Sequence, residues 1–158
     1  MKQFTLDLMG YASKPILSIY CSFALLDTGA DIPVCCLPPK MLKEVFSAEM
    51  VLKDQCFNSF GKEIYGDVFR LKMFQVGELI FPNMSIFVVP RESMSGRGGK
   101  EPLFYYILSS SMFSGLIYEI DNVRSKLNVT VPDTESTVRN LIIRNVGGNL
   151  SVLCTSQI

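Results

Sequence analysis

Residues 23–34 read FALLDTGADIPV. The apolar run Phe23 to Leu26 leads straight into Asp27, Gly29 follows two positions later, and beyond Asp31 the chain turns apolar again. This order predicts a buried strand, a tight acidic turn and a second short strand. A carboxylate at the end of a buried strand is costly unless its charge or its proton is used. The remainder of the chain decides whether that use is structural or chemical.

Several classes fall away on composition. The 158 residues suit one domain. With 48% hydrophobic residues, 11 Phe and 6 Tyr, the chain has ample material for a core and does not read as disordered. Fifteen basic residues balance fifteen acidic ones, so no net field favours nucleic acid or an anionic membrane, and neither is expected as a partner. The absence of His excludes Ser-His and Cys-His nucleophile pairs within one chain, and His-ligated metal sites with them. The five cysteines (21, 35, 36, 56 and 154) form no CxxC and are odd in number, which argues against both zinc and a complete disulfide framework. Reduced, buried thiols in a cytoplasmic protein are the expectation, with no metal and no cofactor. Asn-x-Ser/Thr triplets at Asn83, Asn128 and Asn149 matter only if the chain is secreted.

The apolar run 15–26 is too short to span a bilayer, which takes ~20 residues. It also begins too late for a signal peptide, and reads as one buried strand or two joined by a bend. Ahead of it, Phe4, Leu6 and Leu8 alternate with polar residues, the period of a strand with one covered face. Residues 38–47 predict a helix opened by prolines, with Met41, Leu42, Val45 and Phe46 on one face.

The middle of the chain is rich in strand patterns. Residues 49–60 precede Gly61, and Gly66 closes a short hydrophilic loop. In 67–76, Phe69, Leu71 and Met73 fall on one face, opposite Arg70 and Lys72. Gly77-Glu78 predicts a hairpin turn into the next strand, and 84–89 is a further strand. Residues 90–102 read as an exposed, mobile loop. Its GRGGK lacks phosphate-loop spacing. Residues 103–121 predict a buried strand, a short helical segment and another strand. Three more strand candidates follow, the last two joined through VGGN. A mainly β chain of many short strands points to a barrel or orthogonal sandwich.

In that context ALLDTGAD (24–31) resembles the active-site segment of the retropepsin-like aspartic proteases, the retroviral enzymes and their relatives. The resemblance implies an all-β fold: a retropepsin-like closed barrel or orthogonal sandwich with one or two short helices and a β-hairpin flap. It also implies peptide-bond hydrolysis by two aspartates sharing a water. Asp27 would be the catalytic carboxylate, and Thr28 would hydrogen-bond to the opposing loop. Gly29 would let the backbone turn close to its symmetry mate, while Ala30 and Asp31 would line the cleft and meet substrate backbone. The sequence holds one Asp-Thr-Gly, since Asp-Thr-Glu at 133–135 lacks the glycine, so a homodimer is implied.

Residues 58–66 (NSFGKEIYG) stand where the family carries its flap, which assigns Phe60 and Gly61 to substrate contact. The later apolar strand of the family matches Ile107 and Leu108, but Ser109 stands where glycine is expected. Ser109 is therefore read, with Thr28 and Gly29, as active-site scaffold. Ser110 replaces an arginine that would otherwise partner Asp31. The resemblance covers residues 1–121 as a retropepsin-like domain, with 122–158 a C-terminal β extension of the same domain. Three functions follow from these residues. The first is a homodimeric aspartic endopeptidase acting on peptides or unfolded proteins. The alternative, motivated by Ser109, is a catalytically weak or inactive retropepsin-like module for peptide binding or assembly. The third is an unrelated small β protein in which Asp27 and Asp31 cap a turn or hold a cation, though Asp-x-x-x-Asp lacks the further oxygens calcium takes.

Overall fold

The alternating segments of the sequence become strands in the computed structural model, which describes residues 2–11, 14–59, 61–95, 101–132, 138–146 and 149–156. The chain opens with β1 (Lys2–Asp7), β2 (Met9–Tyr11), β3 (Lys14–Ile19), β4 (Ser22–Asp27) and β5 (Val34–Cys35). Helix α1 (Pro39–Phe46) leads to β6 (Glu49–Ser59), β7 (Lys62–Val76), β8 (Leu79–Val88) and β9 (Tyr106–Ser109). The chain then runs through β10 (Ile117–Asp121), β11 (Lys126–Val131), β12 (Val138–Val146) and β13 (Asn149–Ser156). Among the described residues, one eight-residue α-helix stands beside thirteen strands, which makes the fold all-β. The apolar run 15–26 is two strands joined by a bend, with Tyr20 and Cys21 at positive φ in the turn.

The chain divides into two compact units, residues 1–18 with 113–158, and residues 19–112. In the first unit, antiparallel strands run in the order β1-β11-β10-β13-β12. Register places Leu6, Leu127 and Ile120 in one row and Phe4, Val129 and Tyr118 in the next. These rows form one apolar face, on which Leu127, Val129, Tyr118 and Ile120 are buried. The turn between β10 and β11 is fixed by Asp121, whose Oδ1 accepts the backbone N–H groups of Val123 (3.1 Å) and Arg124 (3.0 Å).

In the second unit the order is β4-β9-β5-β8-β7-β6. β4 pairs with β9 in parallel and β5 with β8 in parallel, while the hairpins β6–β7 and β7–β8 are antiparallel. Gly77 turns β7 into β8 at φ +59, as a primed two-residue turn requires. Its core gathers Leu26, Leu108, Phe69, Leu71, Phe74 and Ile86. Helix α1 begins at Pro39 behind Pro38 and buries Leu42 and Phe46. Phe46 meets Tyr20 edge-on at 4.8 Å and Phe74 at 5.7 Å, and the Tyr20 hydroxyl accepts the Gln75 N–H at 2.7 Å.

Four expectations are corrected. The sheet of the second unit does not close into a barrel among the described residues, because β6 is an edge strand whose neighbour there is β7. The buried stripe of α1 is Leu42 and Phe46, one turn apart, leaving Met41 and Val45 exposed at 46% and 55%. Met73 is exposed where strict alternation buries it. Burial shifts phase on β7 and β8 at the same place, between Leu71 and Phe74 and between Phe81 and Met84, where Asn83 adopts φ +51. Gly66 closes no loop. It lies inside β7, where an added Cβ would strike the Val88 carbonyl oxygen.

Candidate active site

Strands β4 and β9 run side by side with Leu25 beside Ile107 and Asp27 beside Ser109, and both strands end at that last pair. Ala24, Leu26, Tyr106 and Leu108 point into the core. The alternate residues Leu25, Asp27, Ile107 and Ser109 therefore share the other face. The sequence puts a carboxylate there because the strand ends there. Asp27 is exposed, so its charge stays in contact with water.

The Asp27 carboxylate is tied to its own turn. Its Oδ1 accepts the Gly29 N–H at 3.0 Å, and its backbone carbonyl accepts the Ala30 N–H at 3.1 Å. Thr28 and Ala30 are half-buried, and Asp31 is exposed. Gly29 is open in this chain, since an added Cβ would lie 3.4 Å from Asp27 Oδ1, an ordinary contact.

Asp27, Gly29, Ala30 and Asp31 line one cavity of about 410 Å³. Its apolar wall includes Ile32, Val34, Phe57, Ile64, Phe87 and Ile107, and Asn58 and Ser93 add polar groups. Phe57 and Ile64 are directly opposed across β6 and β7, so the β6–β7 hairpin supplies one side of the cavity. At its turn, Gly61 adopts φ +78 and donates its N–H to Asn58 Oδ1 at 3.1 Å. Gly61 and Thr28 do not line the cavity. Phe60 lies outside the described residues, as does Asp-Thr-Glu at 133–135. The flap stretch 58–66 read from the sequence holds Asn58 and Ile64 and stops one residue short of Phe57. Counting outward from the Phe60-Gly61 turn would have found the opposed pair, because each step away pairs the next two residues.

Ser109 is fully buried beside Asp27, and its Oγ stands 2.6 Å from Ser111 Oγ. The hydroxyl is thus accommodated by a partner two residues on. Cys35 and Cys36 are buried free thiols as expected, whereas Cys21 and Cys56 are free thiols exposed on the surface, which corrects the expectation for them. Burial pushes the Cys35 thiol up to about 12, and burial also raises Cys36, opposed in part by the nearby Arg91 charge. Among the described residues no group of acidic, Cys or His side chains could hold a metal ion, and no helix is long and apolar enough to cross a membrane.

No protein-family model and no curated protein matches the chain. Among solved structures, it is similar to the crystal structure of a retropepsin-like aspartic protease from Rickettsia conorii. The TM-score is 0.50 at 13% identity, over 82% of this chain and 91% of that one. At that identity the likeness is one of fold. The all-β fold of this chain is therefore akin to that of a retropepsin-like protein.

Proposed function

We propose that this chain is an aspartic endopeptidase that works as a homodimer, with one Asp27 from each copy facing the other across a two-fold axis. The observation that carries the reading is the setting of Asp27: a strand-end carboxylate braced by the Gly29 N–H, lining a largely apolar cavity. The fold likeness agrees with it. A single Asp-Thr-Gly per chain makes a second copy necessary, because hydrolysis takes two carboxyl groups in different protonation states.

Two carboxylates held close do not readily both ionise, a behaviour for which aspartic proteases are the standing example. The ionised Asp27 takes a proton from water as its oxygen attacks the peptide carbonyl. The protonated Asp27 donates a hydrogen bond to that carbonyl oxygen. Collapse of the tetrahedral diol, with a proton passed to the nitrogen, releases a carboxylic acid and an amine. Ala30 and Asp31 contact substrate backbone, Thr28, Gly29 and Ser109 act as scaffold, and the β6–β7 hairpin with Phe60 and Gly61 serves as the flap and meets substrate. Residues 1–121 form the protease domain, and 122–158 extend the same domain.

The test is Asp27→Asn, which keeps the shape and an acceptor for the Gly29 N–H but removes the acid. Cleavage of an unstructured protein is expected to disappear while circular dichroism and thermal midpoint stay unchanged. Undiminished cleavage by that variant refutes the reading.

A further inference from the structure

Beside the Asp27 cavity, in the same unit, lies a second cavity of about 420 Å³. Val89 lines both. Cys36, on the side of the second cavity, and Phe87, on the side of the first, pack with Val89 in one buried cluster. That cluster lies where the two cavities adjoin, with Val89 their shared lining residue. None of the residues read from the Asp-Thr-Gly segment reaches the second cavity.

Its lining joins apolar surface to carboxylates. Pro38, Pro90, Val88 and the tyrosines 65 and 105 stand beside Asp54 and Asp67. Asp67 is held in place because its Oδ1 accepts the Asp54 backbone N–H at 2.9 Å. Among the described residues neither carboxylate is in an ion pair. Arg91, the one cation among the described lining residues, is already committed. It is paired with Glu101, donates to the Tyr105 hydroxyl at 2.9 Å and stacks over that ring at 5.6 Å. The Tyr105 hydroxyl in turn donates to Glu101 at 2.8 Å. What is left for a ligand is two carboxylates, tyrosine surface and an apolar floor.

A flexible apolar stem ending in a cation matches that lining: the stem lies along apolar walls while the head meets carboxylates. We propose that this cavity receives a Lys or Arg side chain of a peptide whose backbone occupies the Asp27 cavity. The inference rests on the peptide-binding reading of that first cavity and adds a charge preference to it. Arg91, locked with Glu101 and Tyr105, keeps its own charge from filling the place.

The experiment uses the full chain carrying Asp27→Asn, so that binding is read without turnover. Fluorescein-labelled octapeptides, each with one Lys or Arg placed at successive positions, are compared by anisotropy with norleucine counterparts. At one position or more, the basic peptide is expected to bind about tenfold tighter than its counterpart, a preference weakened by salt. Adding Asp54→Asn and Asp67→Asn should erase the preference while circular dichroism stays unchanged, since asparagine still accepts the Asp54 N–H. A preference that survives both substitutions, equal affinity at every position, or no binding of any peptide overturns the proposal. Cleavage of the same peptides by the chain with Asp27 intact separates the two readings. Charge-selective binding without cleavage removes the proteolytic reading and keeps this one. Cleavage indifferent to Lys and Arg does the reverse.

Discussion

Asp27 and Ser109 are lateral neighbours at the ends of two parallel strands, one exposed to water and the other fully buried. The acid faces solvent while the residue beside it is sealed and hydrogen-bonded to Ser111 at 2.6 Å. A hydroxyl in that place is therefore part of the packing of the turn.

Ser109→Ala is expected to lower unfolding free energy by about 1 kcal/mol, the usual net worth of one hydrogen bond whose other partner can turn to water. Ser109→Val adds bulk in a fully buried place and is expected to cost about 1–3 kcal/mol. Urea midpoints measure both. Equal stability of wild type and Ser109→Val would mean the site has slack that the buried geometry denies.

The two glycines 29 and 66 make opposite predictions. At Gly66 a Cβ would collide with the Val88 backbone, so Gly66→Ala is expected to lose several kcal/mol or to prevent folding. At Gly29 a Cβ meets nothing closer than 3.4 Å within the chain. Gly29→Ala should hold monomer stability within about 1 kcal/mol of wild type, yet reduce cleavage at least tenfold, because the crowding falls on the second copy or the substrate. Thermal melts and initial rates on the two variants check the contrast. Full activity in Gly29→Ala would show that nothing approaches that turn closely.

The buried thiols give a pH signature. In the folded chain Cys35 holds its proton up to about 12, against an ordinary 9.0, because burial disfavours the thiolate. The folded state thus binds the proton more tightly than the unfolded state. The resulting stability is complete below pH 9 and is lost as pH climbs towards 12. Between pH 8 and pH 10 the urea midpoint of wild type should fall more steeply than that of Cys35→Ala, and parallel curves would contradict this. In a Cys154→Ser background, Cys21 and Cys56 should react with a disulfide reagent in the folded protein, and Cys35 and Cys36 only in denaturant.

Much of this is legible in the sequence, where local chemistry and periodicity agree. Leu25 to Asp27 form the strand and turn that the quoted segment predicts, and Gly77 turns its hairpin. Helix α1 begins behind its prolines. The failures are tertiary. Met73 follows the apolar period of its own strand, but burial changes phase there on both β7 and β8, opposite Asn83 at positive φ, and leaves it outside. Met41 lies beside the stripe that packs, and the placement of β7 and Tyr20 against the helix decides which of its residues are covered. Gly66 reads as a loop glycine until the Val88 backbone is seen against it. The pairing of β1 with β11 joins residues at opposite ends of the sequence, which no local pattern announces. Around Asp27 the acidic turn was legible from its motif. Ile64 was legible as part of the flap stretch, whereas Phe57 lies just outside it and is found only by carrying the hairpin register outward from the turn.

The central claim is that two copies each contribute one Asp27 to a single reacting centre. Subunit mixing tests it most directly: a fixed amount of wild type is co-refolded with increasing Asp27→Asn chain, and cleavage is measured. Activity is expected to fall towards zero as wild-type chains are drawn into mixed dimers with one acid. Activity that stays constant however much of the variant is added would contradict the account.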